Sequence, residues 1–257
     1  MMAQKRYEMS DEQWIQIKDL FPVAKTGRPP IDNHLMFNAI LWIARSGSAW
    51  RDLPERFSSW KTVYSRFCKW RDDGTLLNIF QTLNEEADYE NLSIDSTSVK
   101  AHQHSAEAKK GAINHEFNQH IGKSRGGNTT KVHAIVDGLG NPIYFQLSSG
   151  DVNDNTLAIE VLSHVKIKNS NILGDKAYVT KEIRKYISSK EASYTIPSKS
   201  NTKDPCKCDR WLYKDRHLIK YFFNKIKHFR RITTRYDKLA SSFLAFVYCD
   251  SIFILCK

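Results

Sequence analysis

The spacing of apolar and polar residues changes once along the chain, near residue 90. Up to residue 85, apolar residues recur every three to four positions, as on the buried face of a helix. The segment from Leu92 to Val99 alternates as a strand does, beginning with Leu92 and Ile94, and helix-like and strand-like segments then follow in turn. The pattern predicts a helical domain over residues 1–85 and an α/β domain over residues 90–257.

Four helices are predicted in the first domain, and Ser10 with Gln13 forms a capping box that opens the first of them. The predicted helices are Asp11–Phe21, Asp32–Arg45, Trp60–Arg71 and Thr75–Leu83. The basic residues of these helices and their turns include Arg51, Arg56, Lys61, Arg66, Lys69 and Arg71. Such a domain suits a helix-turn-helix-like DNA-recognition module. A helical bundle with a basic solvated face fits equally well.

The second domain is predicted to contain three strands, then a helix, a strand, a helix, a strand and a last helix. The strands are 92–99, a hairpin of 132–136 with 143–147, 171–173 and 193–196, and the helices are 154–165, 180–189 and one starting near Tyr213. Residues 101–129 are polar and are predicted to form a long loop. This order matches the RNase H-like fold, a mixed sheet with flanking helices.

Basic residues exceed acidic ones, with a net charge of +11 and a pI near 9.3. Between Lys199 and Lys238 there are thirteen Lys or Arg and four acids, so much of the excess lies in one late segment. A polyanion, with double-stranded DNA as the first candidate, is therefore the expected partner. The alternative is a soluble protein that is merely basic.

Neither cysteines nor apolar stretches indicate export or a membrane. The five cysteines are an odd number and do not suggest a disulfide framework. Cys206-x-Cys208 with His217 and His228 resembles zinc-ligand spacing, but without a second cysteine pair incidental cysteines are favoured. Phe243–Cys256 is short for a membrane span and is interrupted by Asp250. We expect a packed C-terminal helix in a cytoplasmic protein without a membrane partner.

Two aspartates occupy positions that suit metal binding. Asp95 lies within the strand 92–99, where a charge near a core is costly unless it is paired or bound to metal. Asp175 follows the strand 171–173, at the carboxyl end where open α/β sheets bind ligands. Either aspartate alone is more typical of a solvated side chain, but two on neighbouring strands can share divalent ions about 3.5–4 Å apart. The sequence therefore predicts a metal-dependent site for phosphodiester chemistry.

Short segments along nearly the whole chain carry a family pattern. They are Gly27-Arg-Pro-Pro30, Ile40-Leu-Trp-Ile43, Gly47-Ser-Ala-Trp-Arg-Asp-Leu-Pro54, Trp60-Lys-Thr-Val-Tyr64, Ile94-Asp-Ser-Thr97, Gly126-Gly-Asn-Thr-Thr-Lys-Val-His133, Gly174-Asp-Lys-Ala-Tyr178 and His228-Phe-Arg-Arg-Ile-Thr-Thr-Arg-Tyr-Asp-Lys238. With these segments the chain resembles the DDE transposases of bacterial insertion sequences, most closely insertion sequence family five. The resemblance implies an N-terminal DNA-recognition region, cleavage at terminal inverted repeats and strand transfer.

The third motif of that family is Tyr, two residues, Arg, three residues, Glu, six residues, Lys. Tyr213, Arg216 and Lys227 keep this spacing, but position 220 is Lys220 instead of the glutamate. On one helix the four positions share a stripe, so Arg216 and Lys227 are expected to face phosphates while residue 220 faces the metals. A like charge 4 Å away costs about 4 kcal/mol at an effective dielectric of 20, which predicts severe impairment.

We therefore expect an insertion-sequence transposase of the RNase H-like kind, acting as a homo-oligomer on inverted-repeat and target DNA with two Mg²⁺ or Mn²⁺ ions. The predicted catalytic positions are Asp95, Asp175 and Lys220, of which the two aspartates bind metal. The predicted DNA-binding residues are Tyr213, Arg216, Lys227, Arg230, Arg231 and Arg235. A non-catalytic DNA-binding remnant or repressor is the main alternative, and a general RNase H-like nuclease is a more distant one.

Overall fold

The computed structural model describes residues 7–23, 31–106, 119–198 and 208–256. The chain divides into two compact units. A helical unit comprises Met1–Glu85, His102–Ala112 and Lys225–Lys257, and a sheet unit comprises Glu86–Ala101 and Ile113–Asn224. The C-terminal segment thus belongs to the helical unit, although its sequence position assigns it to the predicted α/β domain. The reason is that its last helix is apolar on all sides and is buried among the N-terminal helices.

Some predicted features lie outside the described residues. The motif Gly27–Pro30, Cys206 of the cysteine pair and the middle of the predicted loop 101–129 are among them. The described ends of that loop form α5, Gln103–Ala106, and β2, Gly122–Ser124. Short polar strands of this kind carry little hydrophobic periodicity, which is why the pattern of residues does not indicate β2.

The helical unit contains seven helices among its described residues. They are α1 Asp11–Ile15, α2 Asn33–Ser46, α3 Trp60–Asp72, α4 Thr75–Thr82, α5 given above, α9 Arg230–Thr233 and α10 Ala240–Leu255. The Ser10–Gln13 capping box is present. Helix α1 is shorter than the predicted Asp11–Phe21 because the chain tightens after Ile15. The N–H groups of Ile17 and Leu20 donate to carbonyls three residues back, so a 3₁₀ turn follows.

The core of the helical unit forms where α10 packs against α2, α3 and α4. Phe67 of α3 stacks on Phe246 of α10 with ring centroids 4.6 Å apart, and both side chains are buried. Helix α2 ends at Gly47, whose positive φ of 70° suits glycine. None of the described helices has the length and apolarity that a membrane crossing requires.

The sheet unit has five principal strands in the order β4-β3-β1-β5-β6. Their bounds are β1 Asn91–Ala101, β3 Gly127–Val136, β4 Pro142–Ser149, β5 Asn171–Leu173 and β6 Ser193–Thr195. Strands β1, β3 and β4 pair antiparallel, while β5 and β6 run parallel to β1. With helices α6 Asp154–Ser163 and α7 Lys181–Ser189 as crossovers, this is the predicted RNase H-like fold. A further two-residue strand, β7 Thr234–Arg235, belongs to the helical unit.

The two faces of the sheet are covered by different helices. Leu92 and Ile94 of β1 belong to the core with Val161 of α6. The opposite face includes Phe145 of β4, whose ring stacks on Phe222 of α8, His217–Ile226, at 5.6 Å. Because strand side chains alternate, the next residue after Ile94, which is Asp95, lies on the face that α8 covers.

Candidate active site and nucleic-acid interface

Asp95 and Asp175 follow the last paired residues of two adjacent parallel strands. The parallel ladder of β1 and β5 ends with the pair Ser93 and Leu173. Asp95 and Asp175 are each two residues beyond that pair, Asp95 within β1 and Asp175 two residues past the end of β5. The charge of Asp175 acts on the pKa of Asp95, so the two carboxylates are near each other.

The Asp95 carboxylate is largely enclosed, with 16% of its side chain exposed. One oxygen accepts from the N–H of Ser96 at 2.9 Å, and the other accepts from Nη2 of Arg216 at 3.3 Å. Burial raises the pKa of Asp95, and the negative charge of Asp175 raises it further, although Ser96 and Arg216 act in the opposite direction. A cation placed between the two aspartates would relieve this unfavourable charge.

Asp175 is held by the turn that follows β5. Its Oδ1 accepts from the N–H of Ala177 at 2.7 Å, so it caps the 3₁₀ turn Lys176–Tyr178. The hydroxyl of Tyr178 is buried in the core and has no hydrogen-bond partner among the described residues. Burial raises the pKa of Tyr178, and the charges of Asp154, Asp95 and Asp175 add to this effect.

The two aspartates fit a divalent cation, although they do not provide a complete set of ligands. Among the described residues there is no group of three or more His, Cys, Asp or Glu that could hold a metal. Mg²⁺ is commonly bound through one or two carboxylates, with water and substrate phosphates completing the shell. Asp95 and Asp175 provide such a pair of oxygen donors, and burial together with the charge of Asp175 raises the pKa of Asp95.

The segment that carries the third motif is not the continuous helix that the sequence predicts. Residues Leu212–Arg216 form a 3₁₀ turn, and α8 begins at His217 and ends at Ile226. A 3₁₀ turn advances 120° per residue, so Tyr213 and Arg216, three residues apart, stay on the same side of the segment, whereas Lys227 lies one residue past the end of α8. The prediction of one continuous helix through all four motif positions is therefore wrong, whereas the inward apolar face with Ile219, Phe222 and Ile226 is present.

Arg216 contacts the carboxylate site. Its Nη1 donates to the hydroxyl of Tyr213 at 2.8 Å, and its Nη2 donates to Asp95. Its Nε is buried and has no partner among the described residues. Lys220 is exposed on α8, and no hydrogen bond or ion pair of its ammonium is found within the described part of the chain.

A polar network supports β1 from the other face of the sheet. Asp154 at the start of α6 accepts from the hydroxyl of Ser96 at 2.7 Å and from the ammonium of Lys131 at 2.9 Å. Lys131 also donates to the carbonyl of Val152 at 2.6 Å. These bonds fix the strand beside Asp95. Sequence reasoning missed Asp154, and its only signal was a position at the first turn of a predicted helix.

The C-terminal basic residues divide into exposed and buried ones. Lys227 and Arg230 are exposed. Arg231 is 6% exposed and pairs with Asp237, while Arg235 is fully buried and donates to the carbonyls of Asp237 and Lys238. Burial lowers the pKa of Arg235 to about 10. Both guanidiniums are already bonded within the folded chain, so the phosphate contacts of Arg231 and Arg235 stay a prediction that their burial disfavours.

Two family models match the chain. The model described as "Transposase DDE domain" matches residues 86–248, and the model described as "Putative transposase of IS4/5 family" matches residues 9–80. An uncharacterized protein, y4sN, of Sinorhizobium fredii is 43% identical over 104 residues, which are 40% of this chain and 83% of that protein. The "Putative transposase for insertion sequence element IS6501" of Brucella ovis is 35% identical over 121 residues, 47% of this chain and 92% of that protein.

Solved structures of transposases are distant matches. The piggyBac transposase, in a synaptic complex with hairpin DNA, is 14% identical with a TM-score of 0.37, and the match covers 79% of this chain and 45% of that chain. The Mos1 transposase, in a paired-end complex with the left transposon end, is 12% identical with a TM-score of 0.28, over 86% of this chain and 87% of that chain. The chain therefore spans under half the length of the piggyBac chain, and the fold assignment rests on the strand order.

Proposed function

We propose that this chain, which belongs to the DDE transposase family, binds the terminal inverted repeats and target DNA of an insertion sequence as a homo-oligomer. Asp95 and Asp175 are its metal ligands, and the observation that carries this assignment is that each lies two residues beyond the last paired residues of the parallel ladder between β1 and β5, near enough for the charge of Asp175 to act on Asp95. When bound, Mg²⁺ or Mn²⁺ ions activate a water or a 3′-hydroxyl and stabilise the leaving oxygen of a phosphodiester.

Arg216 and Tyr213 position the phosphodiester in this proposal. The guanidinium is oriented by Asp95 and by the Tyr213 hydroxyl, and its buried Nε retains an unused donor. A phosphate oxygen is a suitable acceptor for such a donor, since charge-assisted bonds to guanidinium are strong and directional. Lys227 and Arg230, which are exposed, are the proposed contacts to the DNA backbone outside the site.

Lys220 stands where the family has its third carboxylate, and we propose that it impairs cleavage. The substitution removes an oxygen ligand from the metal site and replaces it with a positive charge. The exposed position of residue 220 permits exchange without disturbing the core, and Lys and Glu are both good helix formers. Lys220→Glu is therefore expected to restore metal-dependent strand nicking at the inverted repeats.

The test compares nicking by the parent protein and by Lys220→Glu, with DNA taken from both sides of the coding sequence. Lys225→Glu is the matched control, because Lys225 is also exposed on α8 and the charge change is the same. Asp95→Ala and Asp175→Ala in the Lys220→Glu background should abolish the restored activity. Efficient nicking by the parent would refute the missing-ligand argument and assign the third ligand to another acid.

A non-catalytic DNA-binding remnant or repressor is the second candidate, and Lys220 is the observation that favours it. In that case Lys220→Glu binds the inverted repeats but does not nick them with Mg²⁺ or Mn²⁺. Inactivity together with tight, sequence-dependent binding would replace the catalytic proposal with this one. Absence of duplex binding by both proteins would contradict both candidates.

A further inference from the structure

The helical unit contains a cavity that is lined by three of the family-like segments that the carboxylate site does not use. Trp50 comes from the segment Gly47–Pro54, and Trp60 and Tyr64 come from the segment Trp60–Tyr64. Tyr236, Asp237 and Lys238 come from the segment His228–Lys238. The cavity has a volume of about 260 Å³, close to the lower limit of roughly 300 Å³ for typical ligand pockets. Residues far apart in sequence thus form one concave surface.

Aromatic rings form the walls of this cavity. Trp50 is fixed from behind, with its ring 5.4 Å from Phe67 and 5.1 Å from the edge-on ring of Tyr64. Tyr64 and Tyr236 remain 40% and 39% exposed, and Tyr236 is backed by the ring of His102 at 5.0 Å. Partly exposed aromatic rings on a rigid support are suited to stacking with a planar ligand.

The floor of the cavity is polar but carries no net charge. Arg231 and Asp237 form a two-point ion pair there, with N–O distances of 3.1 and 3.0 Å. The hydroxyl of Ser242, which also lines the cavity, accepts from Arg71 at 2.6 Å. Such a floor favours an uncharged ligand with hydrogen-bonding edges over an ion, because its own charges are already compensated.

Basic side chains lie next to the ring of Trp60, which lines the cavity. The guanidinium of Arg51 lies 5.8 Å and the ammonium of Lys61 lies 5.9 Å from the ring centroid of Trp60. Lys238 is exposed at the same opening. An aromatic cavity with basic side chains beside it matches the chemistry of a nucleotide within a strand, which has a neutral planar base and a negative phosphate.

We propose that this cavity receives an unstacked base of a DNA strand, with the adjoining phosphates at Arg51, Lys61 and Lys238. The inference rests on the proposed function, because it assumes that DNA is the partner. It adds that the helical unit recognises an unpaired nucleotide as well as the duplex. Binding of DNA with an unpaired strand should therefore be tighter than binding of a blunt duplex of the same sequence.

The test measures the affinity of the full chain for two fluorescent duplexes that differ only in a three-nucleotide unpaired overhang. Trp60→Ala and, separately, Tyr236→Ala should weaken overhang binding by about fivefold to about a hundredfold, the range for loss of one base–aromatic stack. Blunt-duplex binding should change little, and Trp60→Phe should retain the preference. Trp211→Ala is the matched control, since Trp211 is 76% exposed on the sheet unit.

The outcomes separate this inference from the proposed function. Equal affinity of the parent for both duplexes, or equal losses on both in Trp60→Ala and Tyr236→Ala, would overturn the cavity assignment alone. A loss in Trp211→Ala as large as in Trp60→Ala would overturn it as well. Failure of the parent to bind either duplex would overturn the proposed function and the cavity assignment together. Urea midpoints of the variants equal to that of the parent establish that the changes act on binding.

Discussion

Each unit holds an enclosed arginine–aspartate pair, and the two pairs differ in how completely they are satisfied. In the helical unit, Arg231 and Asp237 share two hydrogen bonds, and their side chains are 7% and 9% exposed. In the sheet unit, Arg216 and Asp95 share a single contact of 3.3 Å, with exposures of 15% and 16%. We call the first pair closed, because its two groups share two hydrogen bonds. We call the second pair open, because both of its partners keep unused hydrogen-bonding atoms.

This difference distinguishes a structural pair from one that is open to a ligand. In a two-point guanidinium–carboxylate pair, two N–H donors are matched to the two carboxylate oxygens. Little hydrogen-bonding capacity is then left for another ligand. Asp95 keeps a raised pKa because of burial, with a further contribution from Asp175, and Arg216 keeps a buried Nε without a partner among the described residues. A cation at the carboxylate and a phosphate at the guanidinium would satisfy both.

The largest expected effect follows from breaking the closed pair. Arg231→Met leaves the Asp237 charge buried and unpaired, so the free energy of unfolding should fall by about 3–5 kcal/mol. Arg216→Met should cost less, because Asp95 retains the Ser96 N–H and more exposure. Urea denaturation of both variants measures the difference. Adding Asp237→Leu to Arg231→Met should recover most of the loss, and equal losses in the two single variants would remove the distinction between a closed and an open pair.

A third buried acid, Asp250 of α10, extends the comparison. Its side chain is fully buried, and neither carboxylate oxygen has a hydrogen-bond partner among the described residues. Asp250→Leu should therefore raise the free energy of unfolding by about 1–3 kcal/mol, as expected when an unsatisfied buried polar group is removed. Ser241→Leu, an exposed position at the start of the same helix, is the control and should have little effect.

The stabilisation by Asp250→Leu should depend on pH. Burial raises the pKa of Asp250 well above its ordinary value of 3.8, so the folded protein holds a proton that the unfolded chain releases. The parent therefore loses stability as the pH rises from 3.8 towards the folded pKa. The gain from Asp250→Leu should be larger at pH 7 than at pH 4, and a gain that is independent of pH would show that the acid is paired.

The positions of the two metal-ligand candidates could be predicted from sequence better than the environment of the arginines. Strand β5 has the predicted bounds Asn171–Leu173, because a short apolar run ending in glycine and aspartate is a strong local signal. The burial of Arg231 and Arg235 could not be predicted in this way. Their partners, Asp237 and nearby carbonyls, are brought to them by the path of a non-periodic segment, and in sequence they appear only as part of a basic run.

The open pair should respond to removal of its arginine by a change in the titration of Asp95. Arg216 lowers the pKa of Asp95, so Arg216→Gln should raise it further. The folded pKa of Asp95 lies above its unfolded pKa, so the free energy of unfolding should fall as the pH rises from the unfolded value to the folded one. Carboxylate ¹³C shifts, assigned with Asp95→Asn, measure the titration without metal. An unchanged pKa in Arg216→Gln would show that the single 3.3 Å contact has no electrostatic effect on Asp95.

The smallest expected effect concerns the exposed basic residues beside the closed pair. Arg230 and Lys227 are exposed, whereas Arg231 and Arg235 are buried, so only the first two are available to phosphates. Removal of one basic side chain that neutralises a phosphate should reduce the slope of log affinity against log salt by about 0.9. Lys227→Ala with Arg230→Ala should therefore lower the slope by about 1.8, with no change in the urea midpoint, because truncation of Arg230 retains the Cβ that lies beside Gly47.

Lys166→Ala with Lys168→Ala is the matched control for this prediction, since it removes the same charge from exposed positions of the sheet unit. The slope of log affinity against log salt for this control should equal that of the parent, although the control has the same net charge as the Lys227 and Arg230 double variant. If both double variants lower the slope equally, the affinity follows net charge and not a defined surface. If neither does, the DNA backbone contacts other residues, and the exposed side of the C-terminal basic segment is not its interface.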